Sequence, residues 1–133
     1  MKYFCLLLIS SVVCLSACKK SDEVVVNDGL IGKWQLVRYG LFAGGGGPVR
    51  NADPAKPEII EFKKDSSFIA NANSTYLKNY SAYQIINSRD LKFLPDLSSN
   101  PPNTLGYKTS NGTVLTLQMS CSEGCFFEYK AIK

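Results

Sequence analysis

Short runs in which apolar and polar residues alternate recur along this chain every 8 to 12 residues or so, with turn-forming residues between them. No run after the N-terminal stretch keeps a 3.6-residue period, so strands are expected rather than helices. Leu30 to Tyr39 is the first, with Trp34, Leu36 and Arg38 on one face and Lys33, Gln35 and Val37 on the other. Glu58 to Lys63 sets Ile60 and Phe62 against Glu61 and Lys63, and Lys64-Asp65-Ser66 turns the chain into Ser67 to Ala70. Ala82 to Asn87 carries Tyr83 and Ile85, Asn87 to Asp90 forms a tight turn, and Leu91 to Leu94 returns. Thr104 to Thr109 and Val114 to Met119 flank Asn111-Gly112, the strongest hairpin signal in the chain because both residues tolerate positive φ. Phe126 to Ile132 is the last strand. About eight strands, mostly sequential neighbours, predict an all-β domain, and an even antiparallel meander closes most simply as an up-and-down barrel. Closure also hides the edges that an open sheet would expose. Two stretches break the rhythm: Gly40 to Pro57, which contains Gly44 to Gly47 and Pro48, reads as a long loop, and Ser98 to Asn103 as a stiffer, polyproline-like connector.

The N-terminus has another character. Lys2 precedes an apolar run from Tyr3 to Val13, and Leu15-Ser16-Ala17 leads small residues into Cys18. The run falls short of the roughly 20 residues that span a bilayer, so residues 1–17 read as a cleaved export signal. Leu15-Ser16-Ala17-Cys18 resembles the lipobox of bacterial lipoproteins, which implies that Cys18 becomes the acylated N-terminus and that the chain is tethered to the cell envelope, not embedded in it. The other reading is an ordinary secretory peptide. Residues 18–29 then form a polar linker and residues 30–133 the barrel. Lys19-Lys20-Ser21-Asp22-Glu23 resembles the acidic surface-export tag of Bacteroidetes lipoproteins; a plain solvated linker fits equally, so the expected outer-membrane location leaves the periplasmic or surface face open.

Processing would remove Cys5 and Cys14 and lipidate Cys18, leaving Cys121 and Cys125 in an oxidising compartment where they can pair. Gly124 supplies the freedom that so tight a ring needs. Two Cys alone lack the third and fourth ligands of a metal site, so no metal or other cofactor is expected.

Of the 133 residues, 45% are hydrophobic and 20% charged, the proportions of an ordinary globular domain. Fifteen Lys and Arg against eleven Asp and Glu, a net +4, are too slight an excess for a nucleic-acid surface. There is no His, which removes the commonest general base. Asp53, Glu58, Glu61, Asp65, Asp90 and Asp96 read as loop or outward-facing residues in solvent. Gly44 to Gly47 lacks the Lys-Ser or Lys-Thr of a phosphate loop. No nucleophile stands beside a base, so enzymatic activity is not expected.

Gly32-Lys33-Trp34, led by Leu30-Ile31 at the start of an all-β chain that ends in Tyr129-Lys130-Ala131-Ile132-Lys133, resembles the lipocalin-like domain of small Bacteroidetes lipoproteins. The resemblance implies that Gly32 and Trp34 form a plug at the closed end of the barrel. It further implies that Lys130 or Lys133 covers the ring in place of the usual Arg, by a cation–π contact. It also implies a small hydrophobic or amphipathic ligand inside the barrel, entering from the end opposite Trp34, near the Gly40 to Pro57 loop. The first strands would offer Leu36, Ile60, Phe62 and Phe68 to such a cavity. The later ones would offer Tyr83, Ile85, Phe93, Tyr107, Leu117 and Tyr129. The same residues could instead fill the barrel, which would leave a protein-interaction or inhibitor module that works through its outer loops. An empty apolar cavity of a few hundred Å³ would favour the ligand.

Overall fold

Alternation becomes a strand where one face can be buried, because a one-residue slip would turn the whole apolar set to solvent. The computed structural model, which describes residues 24–41, 47–97, 103–121 and 124–133, has nine strands, of which eight bury a face in this way. The strands are β1 (Gly32–Gly40), β2 (Arg50–Asn51), β3 (Ile59–Phe62), β4 (Phe68–Ala70), β5 (Ala82–Ile85), β6 (Asp90–Leu94), β7 (Thr104–Ser110), β8 (Val114–Gln118) and β9 (Phe126–Ile132). The expected export signal, Cys18, Gly44 to Gly46 and most of the Ser98 to Asn103 connector lie outside the described residues.

Every pairing is antiparallel, in the order β4-β3-β1-β9-β8-β7-β6-β5. The two ends of that row meet. The Phe68 amide donates to the Ser81 carbonyl at 2.8 Å and the Tyr83 amide to the Ser66 carbonyl at 3.0 Å, with Ser67 and Ala82 bridged between them. Eight strands thus form a nearly closed up-and-down barrel, as the alternation predicts.

The sequence pattern misplaces three details. β2 lies inside what reads as loop: it pairs with Arg38 and Tyr39 on the same side of β1 that takes β3 further down, so β2 and β3 are two pieces of one interrupted strand. Two residues between Gly- and Pro-rich stretches carry no readable period. Second, a β-bulge falls between Leu36 and Arg38. One extra residue reverses the facing of the strand beyond it, so Arg38 points outward to a bidentate pair with Glu128 at 2.8 Å while Tyr39 packs against the core. Third, β5 stops at Ile85, and Ile85 is 50% exposed rather than inward. There the chain turns on the Asn87 side chain, which accepts from the Arg89 and Asp90 amides at 2.7 and 2.9 Å.

Around Trp34, which is fully buried, the interior is solid. Phe62 sits 5.0 Å from both Phe68 and Tyr83, and Phe68 is 4.9 Å from Phe93, with rings tilted or edge-on as aromatic quadrupoles prefer. Leu91, Leu105, Leu115 and Leu117 complete this core, each such side chain contributing about 1.5–3 kcal/mol by burial.

The chain just before β1 straps that end. The Asn27 amide donates to the Gly112 carbonyl at 2.7 Å, the Asn27 side-chain amide to the Lys33 carbonyl at 2.9 Å, and Leu30 enters the core. The Trp34 indole N–H donates to the Leu30 carbonyl at 2.9 Å, satisfying its one polar atom. Residue 32 has to be Gly for two reasons: its φ is +136°, and a Cβ would collide with the Asn27 side chain. Among the described residues, contacts of the folded domain thus reach back at least to Asn27, within the stretch expected as linker.

Candidate functional site

An up-and-down meander sends its connections to alternate ends. At the end holding Trp34 the reversals are short, over 63–67, 86–89 and 111–113. At the other end the chain runs through 41–58, 71–81, 95–103 and 119–125, and there the barrel is hollow. A cavity of about 480 Å³ opens between the top of the core and these connections.

Leu36 of β1 and Phe127 of β9 line it from the barrel. Tyr39 stacks beside Phe127 with ring centroids 6.5 Å apart, and Tyr76 leans over Phe127 at 5.3 Å. Leu41, Gly47, Pro48 and Arg50 contribute from the connection between β1 and β3, and Thr75 from the one between β4 and β5. That second wall is tied down. The Asn71 side chain accepts from the Ile59 amide at 3.1 Å and donates to the Pro57 carbonyl at 2.8 Å, while Leu77 and Tyr80 anchor the segment in the core.

The remaining lining residue is Glu58. It stands in phase with Ile60 and Phe62 and so faces inward, not into solvent as its loop-edge position suggests. Its carboxylate accepts hydrogen bonds from the Thr75 amide and from the hydroxyl of Ser74, itself only 1% exposed. Burial pushes the Glu58 carboxyl above the ordinary carboxylate range, and these two hydrogen bonds oppose that rise. Tyr129, fully buried, has its phenol held far above its usual range, chiefly by burial and further by the Glu58 charge. The pocket thus joins apolar and aromatic walls to one half-buried carboxylate, with Arg50 exposed on β2 beside it.

Of the residues expected to offer a cavity, Leu36 lines this one, as does Phe127, an inward candidate in phase with Tyr129. Ile60, Phe62, Phe68, Tyr83, Phe93, Leu117 and Tyr129 are buried in the core, Tyr107 is half-buried against it, and Ile85 is exposed. Gly32 and Trp34 lie together at the strapped end. Lys130 does not join them: Trp34 registers with Ala131, and Lys130, one residue earlier on β9, is exposed on the opposite face. The indole N–H is met by the Leu30 carbonyl. Cys121 and Cys125 form the disulfide, with Cα atoms 5.7 Å apart, in the connection from β8 to β9 at the hollow end.

Sequence reasoning missed Tyr39, Arg50, Glu58, Thr75 and Tyr76. Glu58 was detectable, since it shares the phase of Ile60 and Phe62. Tyr39 was hidden by the bulge, and Thr75 and Tyr76 belong to a connection with no periodicity. Among the described residues no helix is long and apolar enough to cross a membrane, and no three His, Cys, Asp or Glu side chains cluster as a metal site would. No family model, curated protein or solved structure matches the chain.

Proposed function

We propose that the protein is a lipocalin-like lipoprotein, tethered to the outer membrane through Cys18, that binds a small hydrophobic or amphipathic molecule in the hollow end of its barrel. The observation that carries this reading is the uneven filling of the interior: aromatic side chains pack solidly around Trp34, while about 480 Å³ stays open at the other end. That volume lies within the range of small-molecule sites. A module packed throughout would leave no such hollow, because open space forfeits contacts that a side chain would supply. The Gly32-Lys33-Trp34 motif at the opposite, strapped end supports the family resemblance. The tether would leave from that closed end, since Asn27 docks there, and the pocket would sit at the far one.

Native mass spectrometry of the full chain carrying Cys18→Ser, which cannot be acylated, tests binding. A co-purified small molecule, or saturable uptake of an environment-sensitive apolar dye displaced by alkyl ligands, is the expected result. A folded protein that carries nothing and takes up no dye would instead favour the interaction module. The anchor is tested separately, by a mature N-terminus at an acylated Cys18 in the wild-type protein.

A further inference from the structure

Granted that the hollow end binds a ligand, we infer that the ligand is a cationic amphipath, an apolar body bearing a protonated amine, with the ammonium group placed against Glu58. Among the described residues lining the cavity, Glu58 is the one carboxylate. Ser74 and the Thr75 amide orient it, and these two bonds use only part of a carboxylate's roughly four acceptor positions. The remainder are open to a donor in the cavity. Because Glu58 is half-buried, water screens it weakly, so it attracts an ammonium and repels a carboxylate more strongly than a surface charge would. Tyr39, Tyr76 and Phe127 add aromatic rings to the same walls, and the quadrupole of such rings favours a cation over an anion. Arg50 opposes this, but it is exposed on β2, where solvent screening leaves a charge little influence. The sign of the sheltered group therefore decides the sign of the ligand.

Octylamine, octanol and octanoate form a matched set of probes for the full chain carrying Cys18→Ser, with affinities read by titration calorimetry at neutral pH. Octylamine is expected to bind roughly ten-fold or more tightly than octanoate, with octanol between them. Glu58→Gln should bring the three within about two-fold of one another, by weakening octylamine and strengthening octanoate, since Gln keeps an acceptor for Ser74 and Thr75 but no charge. A wild-type measurement guards against misfolding of that variant. Acidification should weaken octylamine as Glu58 protonates, because the other ionisable side chains beside it, Tyr39, Tyr76, Tyr129 and Arg50, include no carboxylate or imidazole. Octanoate binding tightest, or an amine preference that survives both Glu58→Gln and acid, would overturn the inference. Failure of all three probes to bind a protein whose Trp34 emission shows it folded would overturn the binding reading itself.

Discussion

The strapped and hollow ends of the barrel are made from the same strands, yet one is solid and the other leaves about 480 Å³ open. At the strapped end the turns satisfy their own polar groups. Asp65 accepts from the Ser67 amide at 3.0 Å, Asn87 from the Arg89 and Asp90 amides, and the Thr113 hydroxyl donates to the Ser110 carbonyl at 3.0 Å. Short reversals of this kind draw neighbouring strands together, and Trp34, Phe62 and Phe68 fill what they enclose. At the hollow end the connections are longer, and the inward position just before β3 is held by a carboxylate that cannot be packed as a hydrocarbon. The contrast separates the residues that hold the fold from those available to a ligand.

Truncating the ring that fills the strapped end should have the largest effect. Trp34→Ala is expected to cost roughly 3–5 kcal/mol in urea unfolding, and in the intact protein the emission of this single Trp should be blue-shifted and resist iodide. A variant of undiminished stability would erase the contrast. Gly32→Ala comes next, at about 2 kcal/mol, because Ala is strained at φ +136° and its Cβ meets Asn27. Combining it with Asn27→Gly should restore the part due to collision but not the part due to φ, a separation that a double-mutant cycle measures.

At the hollow end the effects should be smaller. Replacing Cys121 and Cys125 by Ser is expected to cost about 2 kcal/mol at most, because so short a loop removes little chain entropy. Thiol titration of the denatured, unreduced protein should find neither thiol free. Glu58→Gln should show its effect through pH. Burial raises the carboxyl in the fold, so the protonated form is favoured there, and the wild type keeps that stability in acid and loses it as pH rises through the raised value. The variant should therefore gain on the wild type as pH is raised from the ordinary carboxylate range to neutrality, and parallel pH curves would count against a sheltered Glu58. Smallest of all, Arg38→Ala should leave the unfolding midpoint unchanged, since its pair with Glu128 lies in solvent. A marked loss would mean that Arg38 faces the core, as strict alternation from Trp34 predicts.

Local pattern alone determined the strands, the Asn111-Gly112 hairpin, the meander and the pairing of Cys121 with Cys125, because each depends on residues close in sequence. A family resemblance singled out Gly32 and Trp34, although the reasons Gly is required there, a φ of +136° and the nearness of Asn27, come only with the docked strap. The remainder needed the closed barrel. A bulge of one residue, invisible to composition, exchanged Arg38 for Tyr39 on the inner face, and Lys130 lost its place over Trp34 because register sets Ala131 there instead. Which inward residues fill the interior and which border a hollow depends on how far each stands from the long connections, a distance measured across strands and not along the chain. Leu36 and Tyr129 are partners in register on neighbouring strands and both belong to the core, yet Leu36 also lines the pocket and Tyr129 does not, and no one-dimensional period distinguishes them.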